Sequence, residues 1–132
     1  MGQISEFVTV TNPLDPTKQL NFKAVVDTGA FGLTLPASWK DRLGPFHSSR
    51  PVELEMADQH RIPAEICGPV DIKLQGFASV SGEVVFMDVQ DDSKFEPLIG
   101  FMVLEAANAA VDLLRHKLIP LQTYDLKPVA TG

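Results

Sequence analysis

The chain has 132 residues, 45% of them hydrophobic, with a formal net charge of −6 and a single cysteine. That length suits one domain with one core, and the apolar fraction excludes a disordered chain. The acidic balance repels phosphate backbones and anionic membranes, so neither nucleic acid nor a membrane is expected as a partner, and one cysteine excludes an intrachain disulfide scaffold.

Glu6 to Thr11 is rich in β-branched and aromatic residues and reads as a first strand, stopped by the turn chemistry of Asn12-Pro13-Leu14-Asp15-Pro16. Leu20 to Val26 alternates at first and then becomes continuously apolar, as a strand does when it runs from a sheet face into a buried centre. The two segments make a hairpin. Asp27-Thr28-Gly29-Ala30 follows directly, and Leu33-Thr34-Leu35 resumes the strand pattern. Pro36 suits the start of a short helical turn from Ala37 to Leu43, closed by Gly44-Pro45, with Trp39 expected as its buried anchor.

Pro51 to Met56 and Arg61 to Ile66 are two strands joined by Ala57-Asp58-Gln59-His60. Val70 to Leu74 alternates and is expected as a separate strand, turned by Gln75-Gly76. Ala78 to Val89 holds the strand Val84-Val85-Phe86-Met87, and Asp91-Asp92-Ser93-Lys94 is a polar loop. Pro97-Leu98-Ile99-Gly100 is a short apolar strand ending in glycine. Phe101 to Ala110 is the one expected helix, since no proline or glycine interrupts it. Val111 to Leu114 and Leu118 to Leu121 form a last hairpin, and the end of the chain is expected to fray. The expectation is one domain over residues 1–132, with its core in 4–122 and a tail at 123–132.

The other chemical signals are weak. His47, His60 and His116 have no partner at metal spacing and read as surface residues, so no metal or other cofactor is expected. Cys67, before Gly68-Pro69, reads as a buried thiol. No stretch of about 18 apolar residues could cross a membrane, and the opening residues carry no signal-peptide pattern, so a cytoplasmic protein is expected.

Two apolar strands that each end in glycine stand out: Val25-Val26-Asp27-Thr28-Gly29 and Leu98-Ile99-Gly100. With Leu33-Thr34-Leu35-Pro36 and Met56-Ala57-Asp58 at a hairpin tip between them, the order of elements resembles the retropepsin-like aspartic peptidases, in particular their stand-alone bacterial members. The resemblance spans roughly Phe7 to Leu121. It implies an all-β fold, a closed barrel or sandwich with one short C-terminal helix. It also implies an aspartic endopeptidase. Two carboxylates a few ångströms apart cannot both ionise and so share a proton; the charged one deprotonates a water and the other protonates the scissile carbonyl. The motif occurs once, so the second Asp27 must come from a second copy, and a homodimer acting on peptide or protein substrates at acidic to mildly acidic pH is expected.

The resemblance assigns the remaining roles. Asp27 is catalytic, and Thr28, Gly29 and Ala30 support its loop, Thr28 bonding across to the partner chain. Leu98, Ile99 and Gly100 brace the loop from below. Met56, Ala57, Asp58 and Gln59 belong to a flap over the substrate. Two departures are visible. Related flaps carry glycine at the tip where this chain has Gln59; Asp58 can tolerate a left-handed conformation, so a turn is still possible. The acidic residues that follow Ala in retroviral proteases are replaced by Phe31-Gly32; Phe31 is expected in the core. The residues alone leave other readings open. Asp27 could be an Asx-turn residue ending a strand, the flap an ordinary hairpin, and the whole chain a non-catalytic dimerisation or peptide-binding module.

Overall fold

A computed structural model describes residues 3–121. Residue 122 of the expected core and the tail 123–132 lie outside the described residues. Strands β1 (Ser5–Asn12) and β2 (Asp15–Val26) form an antiparallel hairpin. Then come β3 (Leu33–Pro36), a 3-10 turn (Ala37–Trp39), α1 (Lys40–Leu43), β4 (Ser48–Glu55), β5 (Arg61–Leu74) and β6 (Val80–Met87). A second 3-10 turn (Asp92–Lys94), β7 (Leu98–Ile99), α2 (Phe101–Ala106), β8 (Ala109–Asp112) and β9 (Lys117–Pro120) complete the order.

Seven strands form one sheet in the order β1-β2-β7-β3-β6-β5-β4, and β1 also pairs with β5, which curls the sheet into a barrel. Period-two burial explains the closure: Val8, Val10, Leu33, Leu35, Ile72, Leu74, Val84 and Phe86 all point inward and lie at 2% exposure or less. Burying such side chains is the main term holding the barrel together, at about 1.5–3 kcal/mol for each valine, leucine, isoleucine or phenylalanine. α2 seals one end with Val103 and Leu104. Strands β8 and β9 form a separate two-stranded sheet.

Asn12 and Thr34 are the buried polar side chains among the described residues, Asn12 at 1% exposure. The Asn12 side-chain amide donates to the Leu43 carbonyl at 2.8 Å and the Pro45 carbonyl at 2.7 Å, and its oxygen accepts from the Leu14 amide at 2.9 Å. Both amide N–H groups and the side-chain oxygen are engaged, which offsets the cost of burial and ties the first hairpin to the end of α1.

Four expectations are corrected. The anchor of the helical turn is Leu43, fully buried, whereas Trp39 is half-buried and edge-on to Phe22 with ring centroids 5.5 Å apart. Residues 61–74 form one strand rather than two, because Gly68-Pro69 is absorbed as a bulge between Cys67 and Val70. A bulge tolerates a proline that cannot donate to the ladder. The helix stops at Ala106, four residues early. Asn108 adopts a left-handed φ of 56°, which ends the helix and releases Ala109 and Ala110 to pair with β9. Leu113 and Leu114 consequently lie in the turn after β8, not in the strand.

Candidate active site

β2 leads into the Asp27 loop and β3 leads out of it, yet in the sheet these strands are separated by β7. Val25 and Val26 lie beside Leu98 and Ile99 in parallel register, and Thr34 pairs with Leu98 on the other side. The loop at residues 27–32 therefore has to cross over the end of β7. Three backbone bonds fix the crossing: the Asp27 amide donates to the Ile99 carbonyl at 2.9 Å, and the Phe101 and Met102 amides donate to the Ala30 and Phe31 carbonyls at 2.9 and 3.0 Å. Gly100 sits at the crossing, and a Cβ there would come within 2.4 Å of the Gly32 nitrogen and 2.6 Å of the Ala30 carbonyl. Only a glycine fits between the two backbones.

Within the loop, Asp27 Oδ1 accepts the Gly29 amide at 2.9 Å and the Asp27 carbonyl accepts the Ala30 amide at 3.0 Å. The turn thus holds the carboxylate by one oxygen, and among the described residues the other has no hydrogen-bond partner. Asp27 is half-buried, and among the described residues no lysine, arginine or histidine forms an ion pair with it. Thr28 and Gly29 are exposed, and among the described residues the Thr28 hydroxyl has no hydrogen-bond partner. Phe31 is 40% exposed rather than part of the core.

The hairpin β4–β5 ends in the tip 56–60. The Gln59 amide donates to the Met56 carbonyl and the Met56 amide to the His60 carbonyl, both at 2.8 Å, and Asp58 Oδ1 accepts the His60 amide at 2.9 Å. This is a three-residue hairpin loop that places its last residue in the left-handed region. That residue is Gln59, with φ 69°, rather than Asp58. Met56, Ala57, Asp58 and Gln59 are all exposed at the tip. At the base of the hairpin, Lys40 of α1 bonds Glu65 at 2.6 Å, and the Ser49 hydroxyl also donates to Glu65. The Lys40 and Ser49 bonds hold the Glu65 carboxyl below its ordinary range, and the Glu65 bond raises Lys40.

The register exposes further residues that sequence reasoning passed over. Directly opposed residues on neighbouring strands share a face. Leu98 opposes Thr34, Thr34 opposes Val85, Val85 opposes Ile66, and Ala64 opposes Val52. These side chains form one largely apolar wall that runs from beside the Asp27 loop to the hairpin. The other face of the same strands carries the core residues Leu33, Leu35, Val84 and Phe86. The signal was present: Val84-Val85-Phe86-Met87 is apolar on both faces, so something must cover the second one. Cys67 is buried, which pushes its thiol up and keeps it unreactive. His47, His60 and His116 are exposed.

No family model matches this chain, and no curated protein does. Among solved structures it is similar to the EIAV protease complexed with the inhibitor HBY-793. The match has 17% identity, covers 85% of this chain and 94% of that one, and has a TM-score of 0.61. The chain therefore has a retropepsin-like, all-β fold. Among the described residues no helix is long and apolar enough to cross a membrane.

Proposed function

We propose that this chain is one half of an aspartic endopeptidase that works as a homodimer. The observation that carries the reading is the Asp27 loop. A carboxylate at the end of a buried strand is held by one oxygen, lacks a counter-ion among the described residues, and rests on a glycine crossing that fixes its position. One carboxylate cannot serve as both acid and base, so the chemistry requires a second Asp27 from a partner. In the dimer the charged Asp27 takes a proton from a water as it attacks the scissile carbonyl. The protonated one donates to the carbonyl oxygen. Collapse of the tetrahedral intermediate breaks the C–N bond and returns a proton to the leaving amine.

In this reading the free Thr28 hydroxyl bonds across the two-fold axis and Leu98-Ile99-Gly100 brace each loop. Met56 to Gln59 close over an extended peptide. The catalytic domain is residues 1–132 with its core in 4–122, in the manner of a stand-alone bacterial member, and an unoxidised Cys67 suits the cytoplasm. Cleavage of a diverse peptide library by the purified protein from acidic to neutral pH tests this, with Asp27→Asn as control. Products from wild type alone support the reading; equal products from both proteins remove it.

A second reading, a non-catalytic dimer module that binds extended peptide, is favoured by Gln59. A strained tip residue in place of glycine suits a hairpin that stays put more than one that opens at every turnover. Peptide binding without cleavage by a stable dimer would select it.

A further inference from the structure

We infer that the segment 122–132 of this chain docks into the open end of its own barrel, with the Tyr124 ring seated between α2 and β6; the inference does not depend on catalysis. α2 covers this end incompletely. Phe31 and Gly32 of the Asp27 loop, Val80 and Gly82 of β6, and Met102 and Ala106 of α2 line a mostly apolar cavity of about 180 Å³. Gly32 leaves it room, since a Cβ there would meet no atom within 4 Å. An apolar cavity of about 150 Å³ is enough to take a benzene ring. Met102 and Phe31 remain 55% and 40% exposed, and an aromatic occupant would cover both. Glu83 also borders the cavity and offers a carboxylate to a ring hydroxyl.

The place where the described residues stop selects the occupant. The Leu121 amide donates to the Asn108 carbonyl at 2.9 Å, and the Asn108 side-chain amide donates to the Leu121 carbonyl at 3.2 Å. β9 runs antiparallel to β8, so a chain continuing from Leu121 in the same direction passes Ala107 and then Ala106, on the cavity wall. Three extended residues span about 10 Å, which brings Tyr124 level with α2. Tyr124 is the one tyrosine of the chain, and it combines an apolar ring with the hydroxyl that Glu83 can accept. A tethered segment is also present at an effective concentration on the order of millimolar, which a separate partner would have to match. The Phe101 and Met102 amides hold the Ala30 and Phe31 carbonyls, so a ring packed against Met102 and Phe31 backs the Asp27 loop from outside the cleft.

Nuclear Overhauser spectroscopy of the full chain tests the assignment, because the ring signals of a single tyrosine need no sorting. The Tyr124 ring protons are expected to contact the methyl groups of Val80 and Met102. A mixture of isotope-labelled and unlabelled chains separates contacts within one chain from contacts between copies. In Tyr124→Ser, exchange of the Met102 amide with solvent is expected to quicken at least about fivefold as the loop loses its backing. A ring that touches neither methyl group overturns the docking, and so do contacts that arise only between chains. Unchanged exchange in Tyr124→Ser overturns the backing of the Asp27 loop. The peptidase reading stands on any of these results, since none of them measures cleavage.

Discussion

Gly100 lies directly beneath Gly32: a methyl group on Gly100 would approach the Gly32 nitrogen to 2.4 Å, inside any real contact distance. The relationship is one-sided, because a Cβ on Gly32 meets no atom within 4 Å. Gly100→Ala is therefore expected to cost about 2–3 kcal/mol, since backbone on both sides has to shift. Gly32→Ala is expected to stay within about 0.5 kcal/mol of wild type. Denaturant midpoints of the two variants check this, and equal losses would contradict the crossing.

How much of that relationship was legible beforehand depends on the residue. Asp27-Thr28-Gly29 and Leu98-Ile99-Gly100 stand out because strand-breaking glycines follow apolar runs, a local pattern. That β7 separates β2 from β3 is a non-local pairing, which leaves no mark in either segment. The two-faced burial of Val84 to Met87 depends on distant strands in the same way, so the wall from Leu98 to Val52 emerges only from the register. The helix overran because Ala109 and Ala110 suit a helix, and the left-handed turn at Asn108 outweighed that preference.

Gln59 occupies a left-handed position at a cost that glycine would not incur. Gln59→Gly is expected to raise stability by about 0.5–1 kcal/mol, the relief exceeding the added freedom of the unfolded chain, and the β-branched Gln59→Val to lower it. Thermal unfolding of the three proteins measures the order. A loss on Gln59→Gly would count against the tip geometry.

Glu65 titrates below its ordinary value through its bonds to Lys40 and Ser49. A depressed carboxyl stabilises the fold above its unfolded pKa, and that contribution fades as the pH falls through the folded value. Glu65→Gln is therefore expected to lower stability at neutral pH by no more than about 1 kcal/mol, the pair being one-third exposed. The difference should vanish in acid well below the glutamate range. Melting curves across pH read this directly, and a deficit that persists in strong acid would assign Glu65 a role outside the ion pair.

The central claim is that catalysis needs an Asp27 from each of two chains, and mixing tests it. Wild type and Asp27→Asn are exchanged at constant total concentration and peptide cleavage is followed. With half the chains carrying Asp27→Asn, activity should fall to about one quarter, because only dimers with two intact aspartates cut. A fall to about one half, in proportion to the wild-type fraction, would mean that each chain acts alone and would contradict the shared site.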